Sequence, residues 1–113
     1  MQTVADSEVL ARLQAAEGVF ILFGGAQCQV CQALRPRLET LLEQAFPALR
    51  GVYVDCAQSP GLCAQYGVFS LPVVQVFIEG MKVAEAARAF SVRELQAQLS
   101  RPYTLWQAGA GKE

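Results

Sequence analysis

The sequence predicts an α/β domain in which a central mixed sheet of four to five strands is flanked by about four helices. Three observations carry that expectation. Apolar, strand-forming runs alternate with stretches of helical periodicity as far as Val54-Asp55, the pattern of a sheet that begins parallel. Two further runs follow one another across Glu79-Gly80, the pattern of an antiparallel hairpin. Finally, 53% hydrophobic and 17% charged residues over 113 positions suit one core of ordinary domain size and exclude disorder.

In chain order, Val9, Leu10, Leu13 and Ala16 share one face of a first helix; Asp6 or Ser7 can cap its start, and Gly18 suits a left-handed stop. Val19-Phe20-Ile21-Leu22-Phe23 is continuously apolar, as a strand buried on both faces must be, and Gly24-Gly25 ends it. From Cys28 to Phe46, the residues Leu34, Leu38, Leu41, Leu42 and Ala45 recur at helical spacing, while Arg35, Arg37, Glu39 and Glu43 mark a wet face. Pro36 inside this helix predicts a kink. Val52-Tyr53-Val54-Asp55 is a short strand, and Ser59-Pro60 supplies a cap and first-turn proline for a short helix that Gly67 closes. Val73 to Ile78 and the Ala-rich stretch Met81 to Ala87 form the hairpin. Ser91-Val92-Arg93-Glu94 is a capping box for a last helix with Leu95 and Leu99 inward and Pro102 just beyond its end. The domain is thus placed at 1–102, followed by a C-terminal tail, 103–113. Tyr103, Leu105 and Trp106 in that tail either cover the core or form a patch for a partner or second copy.

Nine Lys+Arg against ten Asp+Glu leave a net charge of −1, so neither nucleic acid nor an anionic membrane surface is an expected partner. No apolar stretch nears the roughly 20 residues a membrane span needs. The N-terminus lacks the basic region of a secretory signal; a cytoplasmic location is expected, unless a leader has been removed. With no His, the usual general base, the common nucleophile pairs and the commonest metal ligand are all missing. The four cysteines remain, at positions 28, 31, 56 and 63.

Cys28-Gln29-Val30-Cys31 falls where the buried strand, through a glycine loop, enters a long helix. Unpaired N–H groups and the helix dipole there favour an anion and can lower a thiol pKa from ~8.5 to roughly 3.5–7.5. Cys28 is therefore the candidate nucleophile and Cys31 the resolving thiol. Residues three apart in a helix have Cβ atoms about 5–6 Å apart and a disulfide wants about 3.8 Å, so a first cysteine at the non-helical cap closes the gap. Such exchange requires no cofactor and no metal. The competing readings are two small core residues or half of a zinc site. Six residues separate Cys56 from Cys63, outside the usual zinc-knuckle spacing, which makes a four-thiolate site a secondary alternative.

These cysteines, Pro36 five residues after Cys31, Val54-Asp55, Tyr66-Gly67-Val68, Leu71-Pro72 and Gly80 keep the spacing of one family: from about Val4 to Leu99 the chain resembles the thioredoxins. The resemblance implies the thioredoxin fold and a thiol–disulfide oxidoreductase. Its partners would be protein disulfide or dithiol substrates and a recycling reductase or oxidant. It further implies a cis bond before Pro72, backbone pairing of Leu71 with substrate, and a substrate surface that includes Gln27, Val30, Val73 and Arg88. A monomer is expected, with a dimer through the tail as the alternative.

Departures from the family pattern are specific. Gln27 stands where the family usually has Trp, and Gln29-Val30 where it has Gly-Pro. Leu22 replaces a buried carboxylate, Gly51 its Lys partner, and Arg88 a glycine of the substrate loop. These changes imply slower resolution by Cys31 and a preference for acidic partners. They also support a second reading, a binding module or redox-assisted chaperone that uses a groove around Val30, Leu71 and Val73. The segment from Cys56 to Val68 resembles protein disulfide isomerase domains, which carry a second pair at this interval. In a reducing cytosol, two buried thiols are favoured here over a bridge.

Overall fold

The computed structural model describes residues 1–110. Its elements are β1 (Gln2–Thr3), α1 (Ser7–Ala15), β2 (Gly18–Gly24), α2 (Gln29–Ala45), β3 (Arg50–Asp55), α3 (Pro60–Gln65), β4 (Val73–Ile78), β5 (Met81–Ala87) and α4 (Val92–Ala110). The five strands form one mixed sheet in the order β1-β3-β2-β4-β5. β3 pairs in parallel with β1 and β2, while β4 pairs antiparallel with β2 and β5. The expected mixed sheet and four helices are present.

β2 is apolar throughout because both of its faces are covered. Phe20 and Leu22 point into a core with Leu34, Leu38 and Leu42 of α2 and with Leu95 and Leu99 of α4. Val19, Ile21 and Phe23 point into a second core with Leu10 of α1 and Leu62 and Cys63 of α3. Helix starts follow their caps: Asp6 Oδ1 accepts from the amides of Glu8 at 2.8 Å and Val9 at 3.3 Å, and Ser91 Oγ accepts from Glu94 N at 2.9 Å. Pro36 sits inside α2 without ending it. Glu79 (φ 53°) and Gly80 (φ 84°) both take the left-handed conformation, as a two-residue hairpin turn requires.

The structure corrects four local expectations. β1 has no sequence signal, since two exposed residues cannot display a period; it forms because Gln2 and Thr3 find register opposite Val52 and Tyr53. Ser59 makes no side-chain cap to α3. Gly18 begins β2 rather than stopping α1, and its small size serves a close approach. A Cβ there would lie 2.7 Å from Trp106 Cη2 and 2.9 Å from Leu49 Cδ2. Lastly, α4 does not stop before Pro102 but continues through it to Ala110.

Packing overrides the proline. Tyr103 stacks edge-on against Phe46 at 5.0 Å and against Trp106 at 5.8 Å, and its hydroxyl accepts from Ala48 N at 3.0 Å. Both aromatics therefore cover the core, whereas Leu105 is exposed. The last part of the proposed tail, 111–113, lies outside the described residues. No helix among the described residues is long and apolar enough to cross a membrane.

Because Trp106 is a half-buried part of the core, Trp106→Ala is expected to lower stability by about 2–3 kcal/mol, near the low end for losing a large aromatic. Urea denaturation measures it. A loss within about 0.5 kcal/mol, the usual range for a surface change, would show that the segment after Pro102 is dispensable cover.

Candidate active site

The loop after β2 sets the first cysteine at the helix cap. Cys28 N donates to Gly25 O at 3.1 Å, closing a turn, and Gln32 Nε2 donates to the same carbonyl at 3.1 Å. Cys28 is the N-cap of α2, with extended backbone (φ −90°, ψ 101°), and its Sγ accepts from Cys31 N at 3.2 Å. A free helix-end amide is thus aimed at the sulfur. Cys28 and Cys31 are joined as a disulfide with a Cα–Cα distance of 5.2 Å. Cys28 is partly exposed and Cys31 is completely buried, so only the first sulfur can be reached from outside.

Gly24 makes that burial possible. A Cβ on it would lie 3.1 Å from Cys31 Cβ and 3.0 Å from the Tyr53 hydroxyl, so the first turn of α2 descends onto bare backbone. Around this point Leu22 is fully buried between Tyr53 of β3 and Val74 of β4. Gly51 abuts Leu42, where a Cβ would come within 2.7 Å of Leu42 Cδ1.

The loop before β4 forms the second wall. The Leu71-Pro72 bond is cis, and Leu71 Cδ1 would lie 3.6 Å from a Cβ on Gly25, which brings this loop against the cysteine loop. Pro72 O accepts from Arg88 N at 2.7 Å. Arg88 adopts a left-handed φ of 61°, costly for a residue with a Cβ, and its Nε donates to Ser70 Oγ at 3.2 Å. A glycine-like backbone is therefore retained under an exposed cation. Gln27 and Val30 are exposed beside the cysteines. Val73 is not part of that surface: it is buried in the second core and paired with both Phe23 and Ala87. Phe69 is 84% exposed and lines a groove with Leu71, Pro60 and Cys56. A lone Phe before Ser-Leu-Pro gave no sign of its exposure.

Cys56 and Cys63 form a second disulfide, contrary to the expectation of two thiols. The end of β3 and the middle of α3 bring their Cα atoms to 5.7 Å, well inside the bridging range. Among the described residues, no group of three His, Cys, Asp or Glu could hold a metal ion.

Tyr53 is the residue near Cys31 that the sequence gave no reason to single out; its only signal was strand propensity. Arg35 lies over its ring at 4.4 Å. Burial, reinforced by the charge of Asp55, pushes its phenol above the usual range, while Gln32 and Arg35 pull the other way.

A thioredoxin family model matches residues 1–101. Among curated proteins, the thioredoxin-like protein YdfQ of Bacillus subtilis is 30% identical over 88 residues, covering 78% of each chain. The chloroplastic thioredoxin-like 3-2 of Arabidopsis thaliana is 37% identical over 85 residues, which span 74% of this chain but 42% of that protein. Among solved structures, a mutant thioredoxin from Halobacterium salinarum NRC-1 superposes with a TM-score of 0.78 at 27% identity, covering 91% of this chain and 89% of the other.

The raised phenol of Tyr53 has a consequence for stability. The folded chain keeps this proton past the pH near 10 where the unfolded chain releases it. The contribution is complete below about pH 10 and is lost as pH rises through the folded value. Denaturant midpoints are expected to fall between about pH 9 and 11 less steeply in Tyr53→Phe than in the wild type; equal slopes would mean that Tyr53 titrates as in the unfolded chain.

Proposed function

From the premise that this chain belongs to the thioredoxin family, and is at that general level a thiol–disulfide oxidoreductase, we propose that it exchanges disulfides with protein substrates through Cys28 and Cys31. One observation carries the assignment of roles: Cys28 is partly exposed with an amide hydrogen bond on its sulfur, above a Cys31 that solvent cannot reach. The Cys28 thiolate attacks one sulfur of a substrate disulfide. A mixed disulfide forms, and the other substrate sulfur leaves as a thiolate and takes a proton from water. Cys31 then loses its proton and attacks the Cys28 sulfur, expelling the second substrate thiolate and leaving the Cys28–Cys31 disulfide. Two electrons pass to the substrate, and a dithiol reductant restores the pair; reversing the steps oxidises a substrate. The cytosol, with its dithiol reductants, is the compartment we propose.

Substrate chains lie along the loop at Leu71-Pro72, flanked by Val30, Gln27 and Phe69. Arg88, held on the Pro72 carbonyl, presents its charge at the rim, which favours acidic sequences near the substrate cysteine. With Tyr103 and Trp106 turned inward, self-association through the last helix would rest on Leu105 alone. A second reading has its own observation: Phe69 (84% exposed) and Leu71 line an apolar groove with Pro60 and Val68, and Val30 is exposed as well, surface that can hold unfolded chains without exchange.

Cys28→Ser is expected to abolish reduction of insulin disulfides, and Cys31→Ser to accumulate mixed disulfides visible by mass spectrometry. If Cys28→Ser keeps the biological activity while turnover is lost, the binding reading stands. Arg88→Gly is expected to lower kcat/KM for acidic peptide disulfides by about threefold to tenfold, the scale of one rim charge, and to leave neutral peptides unchanged. An identical profile in wild type and variant removes the role for Arg88.

A further inference from the structure

We propose that the Tyr53 phenol is the hydrogen-bond donor that stabilises the Cys31 thiolate during the resolving step, in a chain whose cysteine pocket has no buried carboxylate. The proposal rests on the exchange reading above and names the group that serves its second half.

The geometry is local and built into the sheet. Tyr53 of β3 stands in register with Leu22 of β2, and Gly24 follows on the same face. The Tyr53 hydroxyl and Cys31 Cβ lie at 3.0 and 3.1 Å from the point where a Gly24 Cβ would be, so the two stand within about 6 Å of each other beside bare backbone. Phe20, Leu22, Leu34, Leu38 and Val74 surround the layer, and Tyr53 is the buried residue of this cluster with a protic side chain. A thiolate forming at Cys31 has no solvent to stabilise it, and a buried charge without a donor is costly.

Tyr53 acts by donation and not as a base. Burial and the Asp55 charge keep the phenol protonated at neutral pH. The charged and polar groups facing it are few. α2 contributes Gln32 and Arg35, and Arg35 also lies 4.0 Å from Glu39 and donates to Met1 O at 2.8 Å. The Met1 ammonium is taken by Glu39 at 2.6 Å, β3 contributes Asp55, and β2 and β4 contribute apolar Leu22 and Val74. In the step itself, the proton of the Cys31 thiol goes to the departing substrate sulfur and the thiolate that forms receives the phenol hydrogen bond. Its electron pair makes the bond to Cys28 sulfur, and the substrate sulfur departs with the pair of the broken S–S bond.

The test uses the full chain with the Cys28–Cys31 pair reduced and Cys56–Cys63 left oxidised. Reaction with dithiobis(nitrobenzoate) releases one coloured thiolate when Cys28 is modified and a second when Cys31 displaces the reagent, so one trace reports both cysteines. Tyr53→Phe keeps the ring under Arg35 and removes only the hydroxyl. The second phase is expected to slow about tenfold at neutral pH and its midpoint to rise by about one pH unit, the scale of one hydrogen bond to a charged group. The first phase should not change. An unaltered second phase, or equal slowing of both phases, overturns the role for Tyr53. Absence of a second phase in the wild type would overturn the exchange reading itself, a separate outcome on the same trace.

Discussion

The close approach of α2 to the sheet at Gly24 is the constraint on which the site depends. A Cβ there would stand 3.0 to 3.1 Å from Tyr53 and Cys31, tighter than ordinary contact, so those neighbours would have to give by a few tenths of an ångström. The open Cys28 and the enclosed Cys31 sit on a helix turn packed close against a strand position that carries no Cβ. The phenol of Tyr53 comes to the same place, 3.0 Å from where a Gly24 Cβ would be.

The second wall of the site is held by backbone rather than by side chains. The amide of Arg88 bonds the carbonyl of Pro72, so the strand end at Ala87 and the cis-proline loop move as one unit. A left-handed arginine is tolerated because that bond and the contact with Ser70 fix it from both sides. The backbone of Arg88 thus serves the fold, while its exposed side chain is held by Ser70.

Periodicity revealed what periodicity controls. The apolar run of β2, the helical spacing of α2, the hairpin and the cysteine pair at a helix start each follow from a local pattern, and the cis-proline loop followed from family resemblance at Leu71-Pro72. What was not legible depends on contacts distant in sequence. β1 is two polar residues that pair with β3; Gly18 is small because Trp106 arrives there; α4 passes Pro102 because Tyr103 finds Phe46 and Ala48. The Cys56–Cys63 bond ran against an argument from compartment, and the distance between β3 and α3 decided it. Val73 lies in the core because β4 is covered on both faces and its first residue pairs with Phe23 and Ala87.

The strand order also bears on how the chain is made. β2 is flanked on one side by β3, synthesised soon after it, and on the other by β4, which begins only at Val73. While the ribosome adds the intervening residues, the most apolar strand of the protein presents an unpaired edge, the kind of surface that recruits other chains. Its cover is completed later still, when Trp106 leaves the exit tunnel and settles on Gly18. The central strand is thus enclosed only once the last helix has been made, so premature termination anywhere before that helix yields a chain with its core strand open.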